Sequence, residues 1–320
     1  MLSKCIEFAD CRFDGSVVRS KFIQQLSGHV DFILVCPELE IGLSVPRNPL
    51  RLVFTDNTLH LVQKNSGHNY NQAMHLFAAD FCRQTAAVDG FILKSTSSTC
   101  GIKNVKIYSS PHKKASISSK GRGLFAMHII DSFPDIPVED EYRLTNHRIR
   151  EHFLTAIFTL ADFRAIRGGR DIQDLIHFQT KNNFLFTLYN QSLLRQMNRL
   201  AAHFDIMDTD ELFNRYGLLL RSMFLKLPTF NSAANLLHYT LDYCRENLKE
   251  YQHRKFDMMI QDFKNKKVSL SSCIAFIHEW AKGTNDQYVL TQTFFNPYPS
   301  ELVSQDDTEE NHALEYTARV

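Results

Sequence analysis

Cysteine stands at positions 5, 11, 36, 82, 100, 244 and 273, and the surroundings of these thiols differ. Cys36 ends an apolar run, "VDFILV", and is followed at once by a proline and two carboxylates, Glu38 and Glu40. Cys100 closes "FILKSTSSTC", where an apolar run gives way to hydroxyls with a glycine behind. Cys5 lies near the chain start and Cys11 follows it, just before "RFDG". A thiol at a strand end, two residues before a glutamate, offers a soft metal ligand beside a group that can move protons. None of the spacings is the C-x-x-C of a closed zinc site. Three convergent thiols at 5, 36 and 100 suit an iron–sulfur cluster with one iron left without a protein ligand. Scattered loop thiols are the alternative that spacing leaves open, as are solvated loop acids for Glu38 and Glu40 and plain turn chemistry for Ser97–Thr99. Cys82, Cys244 and Cys273 lie inside helical apolar patterns such as "LLHYTLDYC" and read as small core residues.

Convergence requires elements that bring distant loops to one place. In the first half, apolar β-rich runs at 30–35, 50–54, 91–93 and 105–108 alternate with helical patterns. The clearest helix is 69–85, with Ala73, Met74, Phe77, Ala78, Phe81 and Cys82 on one face. Such alternation predicts an α/β, Rossmann-like domain with a mostly parallel sheet, whose strands all deliver their following loops to the same edge. "SSPHKKASISSKGRG" (109–123) is expected to be a polar, basic loop, with "GRG" as a helix entry and an anion contact. From about residue 146, helix-period segments follow one another at 146–166, 171–189, 191–204, 209–226, 232–251 and 253–266. The expected organisation is therefore an α/β domain over 1–145, an all-α domain over 146–302 and an acidic, disordered tail over 303–320. The boundary is expected within 133–147, where two prolines and a run of acids interrupt regular structure.

The 320 residues are 44% hydrophobic and 22% charged, enough to bury a full core. No run approaches the roughly 20 apolar residues of a membrane span, and the start lacks an apolar signal region, so a cytoplasmic protein with no membrane partner is expected. Seven cysteines, an odd number, argue for reduced thiols over a disulfide framework. The net charge of +1 conceals an acidic end, and the rest of the chain has a basic excess that leans toward a polyanionic partner.

Four stretches carry a family likeness. "KCIEFADCRFDG", "VCPELEIGLSVPRNPLRLV", "GFILKSTSSTCGIKNVKIY" and "GRGLFA" resemble, in this order, the thiouracil desulfidase family. Its members open with Cys-Leu-Leu-Gly leading to Val-Arg-Tyr/Phe-Asp-Gly, then carry Cys-Pro-Glu and Ser-Pro-Ser-Cys-Gly. "NLLHYTLDY" and "NPYPSEL" resemble the helical domain fused to desulfidases that act on 4-thiouridine in tRNA. In the family the first thiol precedes the Arg by seven positions. Counting back from Arg12 gives Cys5, and Cys11 takes the usual valine position and is expected to pack.

The resemblance implies a 4Fe–4S cluster on Cys5, Cys36 and Cys100 with one open iron, Glu38 as the catalytic acid/base and Ser97 as a second catalytic residue. It implies a non-redox conversion of 4-thiouridine in tRNA to uridine, with tRNA as partner. Desulfidation of a free thiopyrimidine, or recognition of modified RNA without turnover, are the alternatives. Arg12, Asp14, Arg47 and Lys94 are candidate substrate or cluster-loop contacts, or salt bridges that pin the loops. Lys181 and Asn235 are what remains of two basic signatures of the helical domain, replaced here by "FQTKNN" and "FNSAAN". Losing basic residues weakens RNA binding, since phosphate contacts dominate that affinity.

Overall fold

The computed structural model describes residues 1–85 and 87–303. It divides into two compact units, Met1–Phe153 and the residues from Leu154 on.

The first unit is α/β. Its elements are β1 (Leu2–Ser3), α1 (Lys21–Leu26), β2 (Leu34–Val35), α2 (Pro37–Glu40), β3 (Leu50–Thr55), β4 (Thr58–Gln63), α3 (Asn71–Gln84), β5 (Phe91–Leu93), β6 (Val105–Tyr108), β7 (Ser118–Gly121), α4 (Leu124–Ser132) and β8 (Val138–Asp140). They form two four-stranded sheets where one was expected. The first has the order β2-β1-β5-β8 and is parallel throughout. The second, β4-β3-β6-β7, is mixed, with only β3 and β6 parallel. The runs at 50–54 and 105–108 thus belong to the second sheet. The reason lies in "TDNT": Asp56 and Asn57 both take positive φ, 48° and 59°, which turns β3 directly back into β4 as a hairpin.

Short strands account for other differences. β1 is two residues long and carries too little pattern to register as an apolar run, and of 30–35 only Leu34–Val35 is strand. Strand β7 lies in the supposed loop 109–123, and β8 lies in the supposed linker, completing the parallel sheet just after Pro137. The core joins both sheets to α3 and α4 through Leu52, Leu61, Met74, Ala78, Phe91, Leu93, Phe125 and Ile129, all almost fully buried.

The second unit is helical across its described residues. α5 (His147–Gly169) begins where the sequence changes texture, and the division between the units falls inside it. There follow α6 (Ile172–Lys181), α7 (Asn183–Ala202), α8 (Thr209–Met223), α9 (Phe230–Cys244), α10 (Glu250–Lys264), α11 (Leu270–Thr284) and α12 (Gln287–Leu290). Asp171, Asp208, Thr229, Ser269 and Asp286 each accept a hydrogen bond from an amide in the first turn of the helix they precede. The break expected at residue 190 is a kink inside α7, where Asn190 has φ −161° and its side chain accepts from the amides of Ser192 and Leu193. The separation of α6 from α7 occurs at Asn182, and α9 ends before 245, sooner than its periodicity implied. Residues 304–320, which hold most of the predicted acidic tail, lie outside the described residues. Among the described residues no helix is long and apolar enough to cross a membrane.

Candidate active site

Each strand of the parallel sheet delivers a polar group at its carboxyl end. Cys5 follows β1, Cys36 follows β2, the segment Lys94–Cys100 follows β5, and Glu141 follows β8. Because the strands are neighbours and run the same way, residues far apart in sequence come out at one edge, where open α/β sheets bind ligands. There lies a cavity of about 220 Å³, and the residues lining it include Cys5, Cys11, Cys36, Cys100, Glu38 and Arg47. Arg12, Lys94 and Ser97 also line it.

Glu38 is held from two sides. Arg47 donates to its Oε2 through Nε at 2.7 Å, with Nη2 2.6 Å from the same oxygen, and the Thr99 hydroxyl donates to its Oε1 at 2.9 Å. The Arg47 and Glu38 side chains are only 4% and 14% exposed, so this ion pair is shielded from water and fixes the carboxylate's direction. Arg47 also donates through Nη2 to the Cys11 carbonyl at 3.0 Å, tying the loop after Cys5 to the loop after Cys36.

The loop that presents Cys100 is built around a serine and two glycines. The Ser97 hydroxyl accepts hydrogen bonds from the amides of Thr99 and Cys100 at 3.1 and 3.0 Å, closing a tight turn. A Cβ on Gly101 would fall 2.5 Å from a Val105 methyl and 2.7 Å from the Ser97 carbonyl oxygen, and one on Gly123 would fall 2.4 Å from Thr99 backbone. Only glycine lets α4 start so close to the Cys100 loop. That contact corrects the expected anion site at "GRG": the amides of Gly123, Leu124 and Ala126 donate to the carbonyls of Gly101, Ser98 and Thr99.

All four thiols at this edge are buried and free. Cys11 is hydrogen-bonded to both Cys36 and Cys5; the first contact favours its thiolate, but the second, with burial, carries its pKa up to about 11. The hydrogen bond with Cys11, then burial, pushes Cys36 upward. Burial, then the nearby Glu38 carboxylate, does the same to Cys100. Crowded thiols of this kind ionise together only when a cation supplies compensating charge. Among the described residues no three His, Cys, Asp or Glu groups come together as a site for a single metal ion. The donor set is soft and stands around a cavity, which fits a polynuclear thiolate-bound group better than one ion.

The remaining candidates are placed as follows. Lys94 donates to Glu141 at 2.5 Å and to the Ser95 hydroxyl at 2.8 Å, so the cation at the cavity wall is anchored by the residue after β8. Arg12 donates to the Ser16 hydroxyl at 3.0 Å. Asp14 is not among the lining residues; it turns back to accept from the amide and hydroxyl of Ser16. Lys181 and Asn235 belong to the helical unit, where Lys181 pairs with Asp162 at 3.1 Å and Asn235 is exposed on α9. Sequence reasoning missed Thr99 and Glu141, although Thr99 adjoins Cys100; Cys11, expected to pack, lines the cavity with the other three thiols.

Residues 1–141 match the model of the 2-thiouracil desulfurase family. Residues 183–299 match the model of a family of proteins of unknown function, DUF1722. An uncharacterised protein of Bacillus subtilis (strain 168), YbbK, is 34% identical over 53 residues, 17% of this chain, and the match spans only 35% of that protein's length. A solved structure described as a [4Fe-4S]-dependent thiouracil desulfidase, TudS, aligns with 24% identity and a TM-score of 0.35, covering 45% of this chain and 91% of that one. The thiouracil desulfurase match spans every lining residue of the cavity, while Lys181 and Asn235 fall outside it.

Proposed function

We propose that this protein is an iron–sulfur-dependent desulfidase that converts 4-thiouridine in tRNA to uridine, with Cys5, Cys36 and Cys100 holding a [4Fe–4S] cluster. The observation that carries the reading is the meeting of three thiols, delivered by three adjacent parallel strands, with Glu38 around one cavity inside a thiouracil desulfurase domain. When bound, such a cluster supplies a soft, Lewis-acidic iron that prefers a thiocarbonyl sulfur to a carbonyl oxygen.

The chain's own groups account for the rest. Arg47 and Thr99 aim the Glu38 carboxylate, which takes a proton from the attacking water. Water oxygen replaces sulfur on the pyrimidine carbon and the sulfur leaves as sulfide, so no electrons are exchanged. Ser97 keeps Cys100 in place through the two amides that its hydroxyl accepts. Lys94, braced by Glu141, offers a cation at the wall for an anionic part of the substrate.

The tRNA part rests on the likeness of the helical half to domains fused to tRNA desulfidases and on the modest basic excess outside the acidic end of the chain. A second reading, a free thiopyrimidine nucleotide as substrate, is favoured by the pairing of Lys181 with Asp162. The experiment is anaerobic reconstitution, quantitation of iron and sulfide, and loss of thiocarbonyl absorbance from 4-thiouridine-containing tRNA and, separately, from 4-thiouridine monophosphate. Turnover of tRNA is expected. Turnover of the nucleotide alone moves the substrate to the second reading, and a loaded protein that turns over neither overturns the proposal.

A further inference from the structure

The three-thiol site contains a fourth thiol. Cys11 is 4% exposed, lines the cavity and is in hydrogen-bond contact with the sulfurs of both Cys36 and Cys5. Its backbone is pinned: its amide donates to the Ala9 carbonyl, and its own carbonyl accepts from Arg47 Nη2 at 3.0 Å and from Cys36 Sγ at 3.9 Å. Arg47 is in turn committed to Glu38, so the segment carrying Cys11 is fastened to the machinery of the site. The thiols that only fill space in this chain look different. Cys273 donates to the Met259 carbonyl among apolar residues of the helical unit, and Cys82 donates to the His128 carbonyl.

We propose that Cys11 is a reserve ligand: resting on the cofactor reading above, it occupies the iron that three cysteines leave open, and substrate sulfur displaces it. A thiolate is a stronger ligand for a soft iron than water, and a thiol already in contact with two of the ligand sulfurs has little distance to travel. On coordination the Cys11 S–H bond breaks, an S–Fe bond forms and one proton leaves to solvent. On displacement the S–Fe bond breaks and the sulfur takes a proton back. Neither step changes an oxidation state. The consequence is a site closed against adventitious ligands and oxidants at rest, and opened by a competitor that is itself a sulfur donor.

The test uses full-length protein, reconstituted anaerobically with ⁵⁷Fe, as wild type, Cys11→Val and Cys11→Ala. Iron per chain and Mössbauer spectra are recorded, then each sample is treated with one equivalent of ferricyanide and examined by electron paramagnetic resonance. A cluster with an open iron sheds it on oxidation and leaves a paramagnetic three-iron form, whereas full thiolate ligation protects it. Wild type is expected to keep its iron and show no distinct fourth-iron subsite. Cys11→Val and Cys11→Ala are expected to show that subsite and to lose roughly one iron in four. Wild type losing iron as readily as the variants, or the variants keeping it as well as wild type, overturns the inference while leaving the cofactor reading intact. Failure of wild type to take up iron overturns both, and is told apart by the iron count before oxidation.

Discussion

Thiols of the two units make an instructive pair. Cys244 and Cys273 in the helical unit are as buried as the four at the sheet edge, and like those of Cys11, Cys36 and Cys100 their pKa values are raised, to about 12 and about 11, mainly by burial. What separates the groups is company. The helical thiols sit in a core of Leu, Ile, Phe and Trp side chains. The four at the sheet edge face one another, a fixed carboxylate and a guanidinium across a cavity. A buried cysteine is therefore no evidence of chemistry; convergence of several at the carboxyl ends of parallel strands is.

The sharpest way to break this contrast is to delete one thiol from each group. Cys36→Ala should abolish cluster absorbance and iron uptake on reconstitution. Cys273→Ala should leave iron content unchanged and cost stability by about 1–2 kcal/mol in a denaturant titration. Equal iron content in the two variants would dissolve the distinction.

Next in size is the ion pair. Glu38→Gln should lower kcat by about 10²–10⁴-fold with cluster content unchanged, as loss of a general acid/base does. Arg47→Ala leaves the Glu38 charge buried without its main partner, and unfolding free energy should fall by about 3–5 kcal/mol. If Arg47→Ala is neutral in stability, the pair is not shielded as described.

Glycines offer a third comparison. Gly123→Ala would drive a Cβ into Thr99 backbone and should destabilise by about 1–3 kcal/mol while loosening retention of iron. Gly168→Ala, in α5 with no atom near its added Cβ, should be neutral or stabilise by up to about 1 kcal/mol.

The last comparison concerns pH. Cys273 titrates in the folded chain near 11 against an ordinary value of 9.0, so between these the folded state holds a proton that the unfolded state has lost. Stability must then fall as pH rises through that window, by about 1.4 kcal/mol per pH unit for each such thiol. Cys273→Ala should flatten the alkaline limb of a stability–pH curve relative to wild type, and an unchanged slope would refute the assignment.

How far the sequence carried depends on what each feature is made of. Helical periodicity in the second half marked the helices because an amphipathic stripe repeats over 10–20 residues, yet it ran through the short breaks at Asn182 and 245–249. Strands of two or three residues carry no period, which is why β1 and β8 were invisible although β1 lies between β2 and β5 and β8 closes the sheet beside β5. The ligand candidates were legible from residue type and flanking pattern, and the likeness to a family picked Cys5 over Cys11.

The sequence by itself determined which chemical groups are available: soft thiols, a glutamate two residues after one of them, and a hydroxyl-rich turn with glycine behind another. Local physics was enough for the helical character of the second half. Only the tertiary structure decided which thiols meet, because convergence depends on β1, β2 and β5 lying side by side and parallel, a matter of long-range pairing that no local window contains. It also decided that Arg47 and Thr99 hold Glu38, that Lys94 answers to Glu141, and that Cys11 stands with Cys5, Cys36 and Cys100, each a meeting of residues that come together at one sheet edge.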